Sequence, residues 1–536
     1  MTGAMTVASR VSKHLVHFRI AACWTILSLV SCIQIHAASD RPNILVCIAD
    51  DWSWPHTSIA GEPQIQTPTF ERIAREGLLF PLAYASAPSC TASRGALLTG
   101  QYHWRLKEAA NLHSFLRSEF EVYPDVLARN GYQVGHIRKG WGPGRQDMGG
   151  RKTNPAGPRF ADFDEFLKLR KDGQPFCFWF GSVDPHRPYE KGSGVRAGKY
   201  PTAVRVPPTL PDDPVVRGDI LDYFLEIERF DRETGEILAK LERAGELENT
   251  IVVMTADNGW PFPRGKATVY DAGTHVPLAI RWPAGIRKPG RVIDRLTSLT
   301  DLAPTFLEAA GVQGLADRTG QSLMPVFEAV EDDETQSGRK YLMTGMERHV
   351  ACRDLGEGVP GGGYPMRAIR SKDHVLIRNF EPGRWPMGDW KSVKDDGSDS
   401  PGFERLAEST FVAFGDCDAS PTKALMVLNR NRPGFAPRFD TAFRKRPEWE
   451  LYDLTKDPHQ LKNLAQDPAT SAVFDELKSA LAREMVATRD PRANGGGAAF
   501  DRYEYLGNAQ AAPSGVPGKA ARKKATNRPE SKEETR

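Results

Sequence analysis

Apolar runs that stop on acidic residues set the first pattern along this chain. Residues 43–49 read Asn-Ile-Leu-Val-Cys-Ile-Ala and are followed at once by Asp50-Asp51. That is the pattern of a strand buried on both faces whose carboxyl end carries acids. Residues 132–137, 176–180 and 251–255 repeat the buried-strand pattern. Helical spacing lies between them. One helix opens at Thr67-Pro68, runs through Glu76 and is closed by Gly77; others are predicted at 124–130, 161–170 and along the amphipathic stretch 214–243. Strands alternating with helices in this way predict an α/β fold, a mostly parallel central sheet with helices on both faces. Ligands of such sheets gather at the carboxyl ends of strands. Asp50-Asp51, the segment from Ser182 to Arg187, and Asp257-Asn258 all fall at such ends.

Past Gly311 the texture changes. Residues 340–344, 366–371 and 374–378 read as short strands of a small antiparallel sheet, and the segment 450–454 and a helix at 472–487 close the folded part. The expected organisation is an export signal over 1–38, a catalytic domain over 39–335, a smaller C-terminal α+β domain over 336–490, and a disordered basic tail over 491–536. No internal repeat interrupts this order.

Composition narrows the class. With 40% hydrophobic and 26% charged residues, 48 Gly and 40 Pro in 536 residues, the chain is neither collagen, coiled coil nor wholly disordered, and fits a loop-rich globular protein. The net charge of +3 arises at the two ends, from Arg10, Lys13 and Arg19 and from the Lys/Arg-rich segment after Gln510. The body between is slightly acidic, which argues against nucleic acid as the main ligand. Residues 20–35 are the one long apolar run; they follow basic residues and precede His36-Ala37-Ala38-Ser39, as in a cleaved export signal, and are short for a membrane span. Leu29-Val30-Ser31-Cys32 also resembles a bacterial lipobox, so a lipid anchor at Cys32 is the alternative to a soluble periplasmic or secreted protein. Of the seven cysteines, Cys23 and Cys32 leave with the signal, and Cys47 and Cys177 sit inside strand patterns as small buried thiols. Cys352 and Cys417 form a candidate disulfide, and Cys90 stands in a polar turn before a helix.

Three carboxylates and an amide oxygen from Asp50, Asp51, Asp257 and Asn258 suit a hard cation, Ca²⁺ or Mg²⁺, better than zinc. Either pair alone is an ordinary turn or cap; both at strand ends point to one site. The sharpest motif is Ser89-Cys90-Thr91-Ala92-Ser93-Arg94-Gly95, in which Arg94 follows Cys90 by one helical turn on the same face. Here the residues resemble the signature of the type I sulfatases, in the alkaline phosphatase superfamily, and the resemblance covers about residues 41–487. It implies an alkaline-phosphatase-like fold and a maturase that oxidises Cys90 to formylglycine. Asp50, Asp51, Cys90 as formylglycine, Asp257 and Asn258 would then hold the cation. Cys90, Arg94, Lys139, His186 and Lys266 would carry the chemistry. Each of these has an ordinary reading, a solvated lysine or a structural histidine, and their order and spacing together outweigh it.

The resemblance also implies the reaction. A hydroxyl of hydrated formylglycine attacks sulfur in line, His186 protonates the leaving atom, and the cation, Lys139, Lys266 and Arg94 hold the sulfuryl oxygens. The second hydroxyl then expels sulfate. Two departures stand out. Ala92 occupies a position that is often Pro. Lys139 is followed by Gly140-Trp141-Gly142 where the family commonly has Trp-His, so the second-step base has no motif position, with His136 and His103 the nearby histidines. Asp184-Pro185-His186-Arg187 and the Pro261-Phe262-Pro263 run before Lys266 are similar to the heparan N-sulfatase branch. This implies a sulfated polysaccharide or oligosaccharide substrate, with N-sulfated glucosamine foremost and Arg187, Arg264 and His103 as candidate sugar contacts. The competing readings are a phosphonate or phosphodiester hydrolase of the same superfamily and a non-catalytic binder of sulfated glycans.

Overall fold

The computed structural model describes residues 41–330, 338–355, 361–390, 393 and 401–507. The expected export signal, Cys32 and the chain beyond 507 lie outside the described residues.

Thirteen strands are found among the described residues: β1 (Asn43–Ala49), β2 (Leu78–Leu79), β3 (Ala83–Tyr84), β4 (Gln133–Arg138), β5 (Phe176–Gly181), β6 (Thr250–Ala256), β7 (Leu278–Arg281), β8 (Arg291–Val292), β9 (Thr297–Ser298), β10 (Leu342–Met346), β11 (Met366–Arg370), β12 (His374–Asn379) and β13 (Trp449–Asp453). Seven of them form the central sheet, in the order β4-β5-β1-β6-β7-β2-β8. β4, β5, β1 and β6 run parallel, and β7 turns antiparallel to β6. Every residue of β1 and β6 is buried, so both faces of the sheet are covered, which is why these strands read as unbroken apolar runs. The crossover from β5 to β6 carries the helix Pro214–Arg243, started by Pro214 and by the Asp213 side chain, which accepts from Val215 N at 2.8 Å. Its buried stripe includes Ile220, Tyr223, Phe224, Ile227 and Phe230. The helix expected at 161–170 is shorter, Phe163–Lys168, because Asp162 caps it two residues later.

A second, antiparallel sheet runs β10-β11-β12-β13. On one side Met343, Ile369, Leu376 and Leu451 pack against Leu477, Ala480, Leu481 and Met485 of the helix Ser471–Ala487. On the other, Met366, Ala368, Val375 and Ile377 pack against Val269 and Tyr270. The main core does not stop at residue 335. The long connection from β12 to β13 carries the helices Phe403–Glu408, Pro421–Leu428 and Ala436–Phe443. Their Leu406, Ala424, Met426, Val427, Phe439 and Phe443 belong to the same apolar cluster as β1 and β6.

One expectation is corrected and one open pairing is decided. Residues 491–507, expected as the start of a disordered tail, pack on the body: Phe500 is buried in the small-sheet core, and Arg348 donates to the Tyr503 carbonyl at 2.8 Å. Left-handed Gly495 (φ +83) lets the chain turn back and deliver that anchor. Cys352 and Cys417 form no disulfide. The Cys352 thiol donates to Asp416 at 3.5 Å and that of Cys417 to the Asp418 carbonyl at 3.8 Å. Cys47 and Cys177 are buried thiols inside β1 and β5.

Candidate active site

Strand register brings the acids together. Ala49 of β1 pairs with Ala256 of β6, so the next residues, Asp50-Asp51 and Asp257-Asn258, emerge level with each other at the carboxyl edge. Asp51 adopts a left-handed conformation (φ +77), which Asp tolerates better than most residues, and its N–H donates to Asp257 Oδ1 at 3.1 Å. Lys139 leaves the end of β4, two strands from β1 across β5. There Gly181 is required, because a Cβ at that position would lie 1.7 Å from the Lys139 carbonyl oxygen.

Cys90 is the first residue of the helix Cys90–Thr99, all ten of whose residues are buried. Its thiol lies 3.3 Å from Asp50 Oδ1 and 4.0 Å from Asp51 Oδ1. One turn on, Arg94 Nε donates to Asp257 Oδ2 at 2.7 Å, while Nη1 donates to the Lys139 and Gly140 carbonyls at 3.0 Å each. Lys139 Nζ donates to both oxygens of Asp50, at 2.7 and 2.6 Å. Lys266 Nζ donates to Asp51 Oδ2 at 2.8 Å, and His186 Nε2 lies 3.9 Å from the same oxygen. His186 Nδ1 donates to the Arg187 carbonyl at 2.6 Å, leaving Nε2 turned to the acids. The nine residues singled out from the sequence, Asp50, Asp51, Cys90, Arg94, Lys139, His186, Asp257, Asn258 and Lys266, therefore form one connected cluster.

The donor set fits a hard cation. Ligand atoms of Asp50, Asp51, Cys90 and Asp257 lie within 4.8 Å of one another. Asn258 donates its amide hydrogens to Asp51 Oδ1 (2.7 Å) and the Gly259 carbonyl (2.9 Å), and its buried Oδ1 has no hydrogen-bond partner. A buried acceptor without a donor beside three carboxylates calls for a positive ligand.

Charge is unevenly shared. Burial works to raise Asp50, yet Lys139, His186, Arg94 and Lys266 hold its carboxylate well below the usual range. Burial pushes Asp51 up to about 6, against the pull of Lys266 and with Asp50 and Asp418 adding to the rise. Burial and the neighbouring Asp257 push the Cys90 thiol well up, so near neutral pH it is protonated and a poor nucleophile as it stands. Burial, then Lys266, brings His186 down to about 4.

Two residues that no local motif marks also reach this site, and a third lies within the field of its lysines. Asp418, from the β12–β13 connection, lies 3.3 Å from Lys266 Nζ and groups with Asp51 and His186 within 4.8 Å. His349, just past β10, has its Nδ1 3.0 Å from Ser89 Oγ, and burial followed by the Lys266 charge lowers it to about 4. His113 is lowered to about 4 by burial and then by Lys139 and Lys266. A short acidic turn, Asp416-Cys417-Asp418, is the one sequence signal for the first of these; the two histidines carry none.

Other sequence candidates are committed elsewhere. Arg187 forms a two-pronged pair with Asp219 at 2.7 and 2.8 Å and stacks on Tyr189 and Phe262, which takes it out of reach as a sugar contact. Arg264 stacks on Tyr270 at 3.7 Å and donates to the Thr441 and Gln460 carbonyls, tying the segment after β6 to the β12–β13 connection and to the chain just past β13. His103 is fully buried on Ser86 Oγ, with Arg367 among the charges acting on it. His136 Nδ1 donates to the Gly157 carbonyl inside the fold.

Comparison with known proteins agrees with this geometry. The family model described as Sulfatase matches residues 42–312. Human N-sulphoglucosamine sulphohydrolase is 27% identical over 506 residues, covering 84% of this chain and 91% of its own. An ulvan-active sulfatase of Formosa agariphila is 26% identical, covering 84% and 76%. A protein solved in complex with its substrate D-glucosamine-2-N,6-O-disulfate superposes with a TM-score of 0.59 at 19% identity, covering 84% of this chain and 98% of its own. With four parallel strand ends, a buried cysteine and a family model spanning half its length, this chain belongs to the sulfatase family, enzymes that hydrolyse sulfate esters or sulfamates.

Proposed function

We propose that this protein is an exported, calcium-dependent sulfatase that removes sulfate from sulfated glycans, N-sulfated glucosamine foremost, with formylglycine made from Cys90 by a maturase. The observation that carries the reading is the Cys90 thiol 3.3 Å from Asp50 among three carboxylates, with the Asn258 oxygen unpartnered. Asp50, Asp51, Asp257, Asn258 and residue 90 would hold Ca²⁺, or Mg²⁺ in its place. When bound, the cation would supply Lewis acidity, and the hydrated aldehyde at residue 90 would supply an oxygen nucleophile together with a second hydroxyl whose deprotonation breaks the C–O bond to the sulfated oxygen and expels sulfate.

The chain's own residues do the rest. Arg94 anchors Asp257 and the Lys139 backbone, so that the cysteine helix and two strand ends keep one geometry. Lys139 and Lys266, already turned into the pocket, hold the sulfuryl oxygens and neutralise charge as it builds in the transition state. His186, its Nδ1–H fixed on the Arg187 carbonyl, turns Nε2 to the leaving atom; a bound sulfate anion offsets the Lys266 charge that lowers the ring, so that Nε2 can take up a proton and pass it to the leaving atom. With Gly140 following Lys139, His349, bonded to the Ser89 hydroxyl beside Cys90, and His113, within the field of Lys139 and Lys266, are the candidates to take the proton of the second hydroxyl.

The test is free sulfate released from a panel of defined sulfated disaccharides, with and without chelator, beside the mass of the Cys90 peptide. An unmodified thiol in active protein from its native source sinks the reading. A second reading, a phosphonate or phosphodiester hydrolase with two cations, draws support from the Asp51–His186–Asp418 group. Against it, Lys266 already lies 2.8 Å from Asp51 and 3.3 Å from Asp418, where a second cation would sit. Faster turnover of aryl phosphonate than of aryl sulfate by orders of magnitude would favour it.

A further inference from the structure

Asp418 differs from the other acids of the site. The side chains of Asp50, Asp51 and Asp257 are 3% exposed or less, whereas that of Asp418 is 16% exposed and that of His186 34% exposed. The first three form the sealed floor, and Asp418 and His186 form the mouth. Asp418 also groups with His186 and Asp51 within 4.8 Å, beside the histidine that serves as proton donor in the reading above. An anion there repels a sulfuryl group. Its carboxylate accepts hydrogen bonds and donates none, so what it recognises must carry a hydrogen or a positive charge.

The two substrate chemistries differ at this point. In a sulfate ester the leaving oxygen bears no hydrogen, and its lone pairs meet the carboxylate unfavourably. In a sulfamate the leaving nitrogen carries N–H, and after cleavage it becomes an ammonium. We propose that Asp418 is a specificity-determining residue, whose carboxylate accepts from the leaving N–H of an N-sulfated amino sugar and stabilises the ammonium product, favouring sulfamates over sulfate esters. This rests on the sulfatase reading above and names its substrate class.

The reaction balances without any further reagent. The sulfamate R–NH–SO₃⁻ and water give R–NH₃⁺ and SO₄²⁻. The S–N bond breaks with its electron pair going to nitrogen, and sulfur gains one oxygen from water through the residue 90 nucleophile. Of the two protons that nitrogen gains, the first comes through His186. Asp418 takes no proton; it receives hydrogen bonds as the charge on nitrogen develops. Its own position is held by Lys266, so a general loss on substitution is expected on every substrate, and the discriminating quantity is a ratio.

The experiment compares kcat/KM on N-sulfoglucosamine and on an aryl sulfate for the aldehyde-bearing, calcium-loaded enzyme and for Asp418→Asn. The expected result is a fall on the sulfamate at least tenfold greater than the fall on the aryl sulfate. Equal falls on both overturn the inference while leaving the sulfatase reading intact. A wild-type enzyme inactive on both overturns the sulfatase reading itself. A second measurement needs no variant. Glucosamine should inhibit the wild type at least tenfold more tightly than N-acetylglucosamine, which lacks the ammonium; equal inhibition by the two overturns the role given to Asp418.

Discussion

Beside the antiparallel sheet Arg367 and Arg492 meet Glu347 and Asp490, while at the ends of the parallel strands Arg94, Lys139 and Lys266 meet Asp50, Asp51, Asp257 and Asp418. Both groups are buried, and they are paired by different rules. In the first, two guanidiniums match two carboxylates. Arg367 reaches Asp490 and Glu347 at 2.6 Å each, and Arg492 reaches Glu347 at 2.6 Å. In the second, three cations face four carboxylates, the Asn258 oxygen has no partner, and Asp51 is driven up to about 6 by burial, with like-charged Asp50 and Asp418 contributing. A closed network fixes how the chain packs; an open one waits for a ligand. Unsatisfied charge of this kind is costly to the fold and marks where chemistry is done.

Substitutions should separate the two regions. The largest effect is expected for Cys90→Ala: sulfate release falls at least about a thousandfold, while the melting temperature shifts by no more than about 3 °C. A residual rate within tenfold of wild type would remove residue 90 from the chemistry; glycan retention by wild type and variant alike with no sulfate released by either would leave the non-catalytic binder as the reading. The mirror case is Arg367→Met, which strands Asp490 in the interior and leaves Glu347 with Arg492 alone. It should cost about 3–5 kcal/mol in urea unfolding, with activity per folded molecule retained. If this variant instead lost turnover and kept stability, the contrast between the regions would fail.

Lys139→Ala tests the open cluster directly. Loss of an aimed cation should lower kcat about a hundredfold to a thousandfold, without the collapse in stability expected of Arg367→Met. Next in size is the ion itself. Calcium at a hundred times its dissociation constant should stabilise the protein by about 2.7 kcal/mol, seen as a higher melting temperature than in chelator. Asp257→Asn should shrink that calcium-dependent shift. The smallest effect belongs to Arg264→Lys, which weakens stacking on Tyr270 and two carbonyl bonds. About 1–2 kcal/mol of stability should go, with KM for sulfated glycan unchanged, because this guanidinium faces protein on every side described.

Much of the open cluster was legible along the chain. The apolar run of β1 ending in two acids, the same pattern at β6, and the Cys90–Arg94 turn each pointed to the carboxyl edge, where register then made Asp50 and Asp257 neighbours. Reading misjudged residues whose type fits two roles. Arg187 and Arg264 looked like sugar contacts, yet the first found a buried carboxylate on the long helix and the second an aromatic face and two carbonyls. Whether Cys352 and Cys417 pair was open along the chain, and the fold decided it by giving each thiol its own acceptor.

The sequence by itself determined the family, the four parallel strands and the small antiparallel sheet, and the nine residues that meet at the strand ends, because period, turn chemistry and motif spacing are local properties of the chain; the short strands β2, β3, β7, β8 and β9 carried too little period to be read. Only the tertiary structure decided that the β12–β13 connection buries its apolar faces in the main core and so carries Asp418 to Lys266, and that the segment after β10 sets His349 against Ser89. An amphipathic helix announces that one face must be buried, but not against what. The partner of that face is fixed by packing between segments more than a hundred residues apart, and with it the residues that line the mouth of the site.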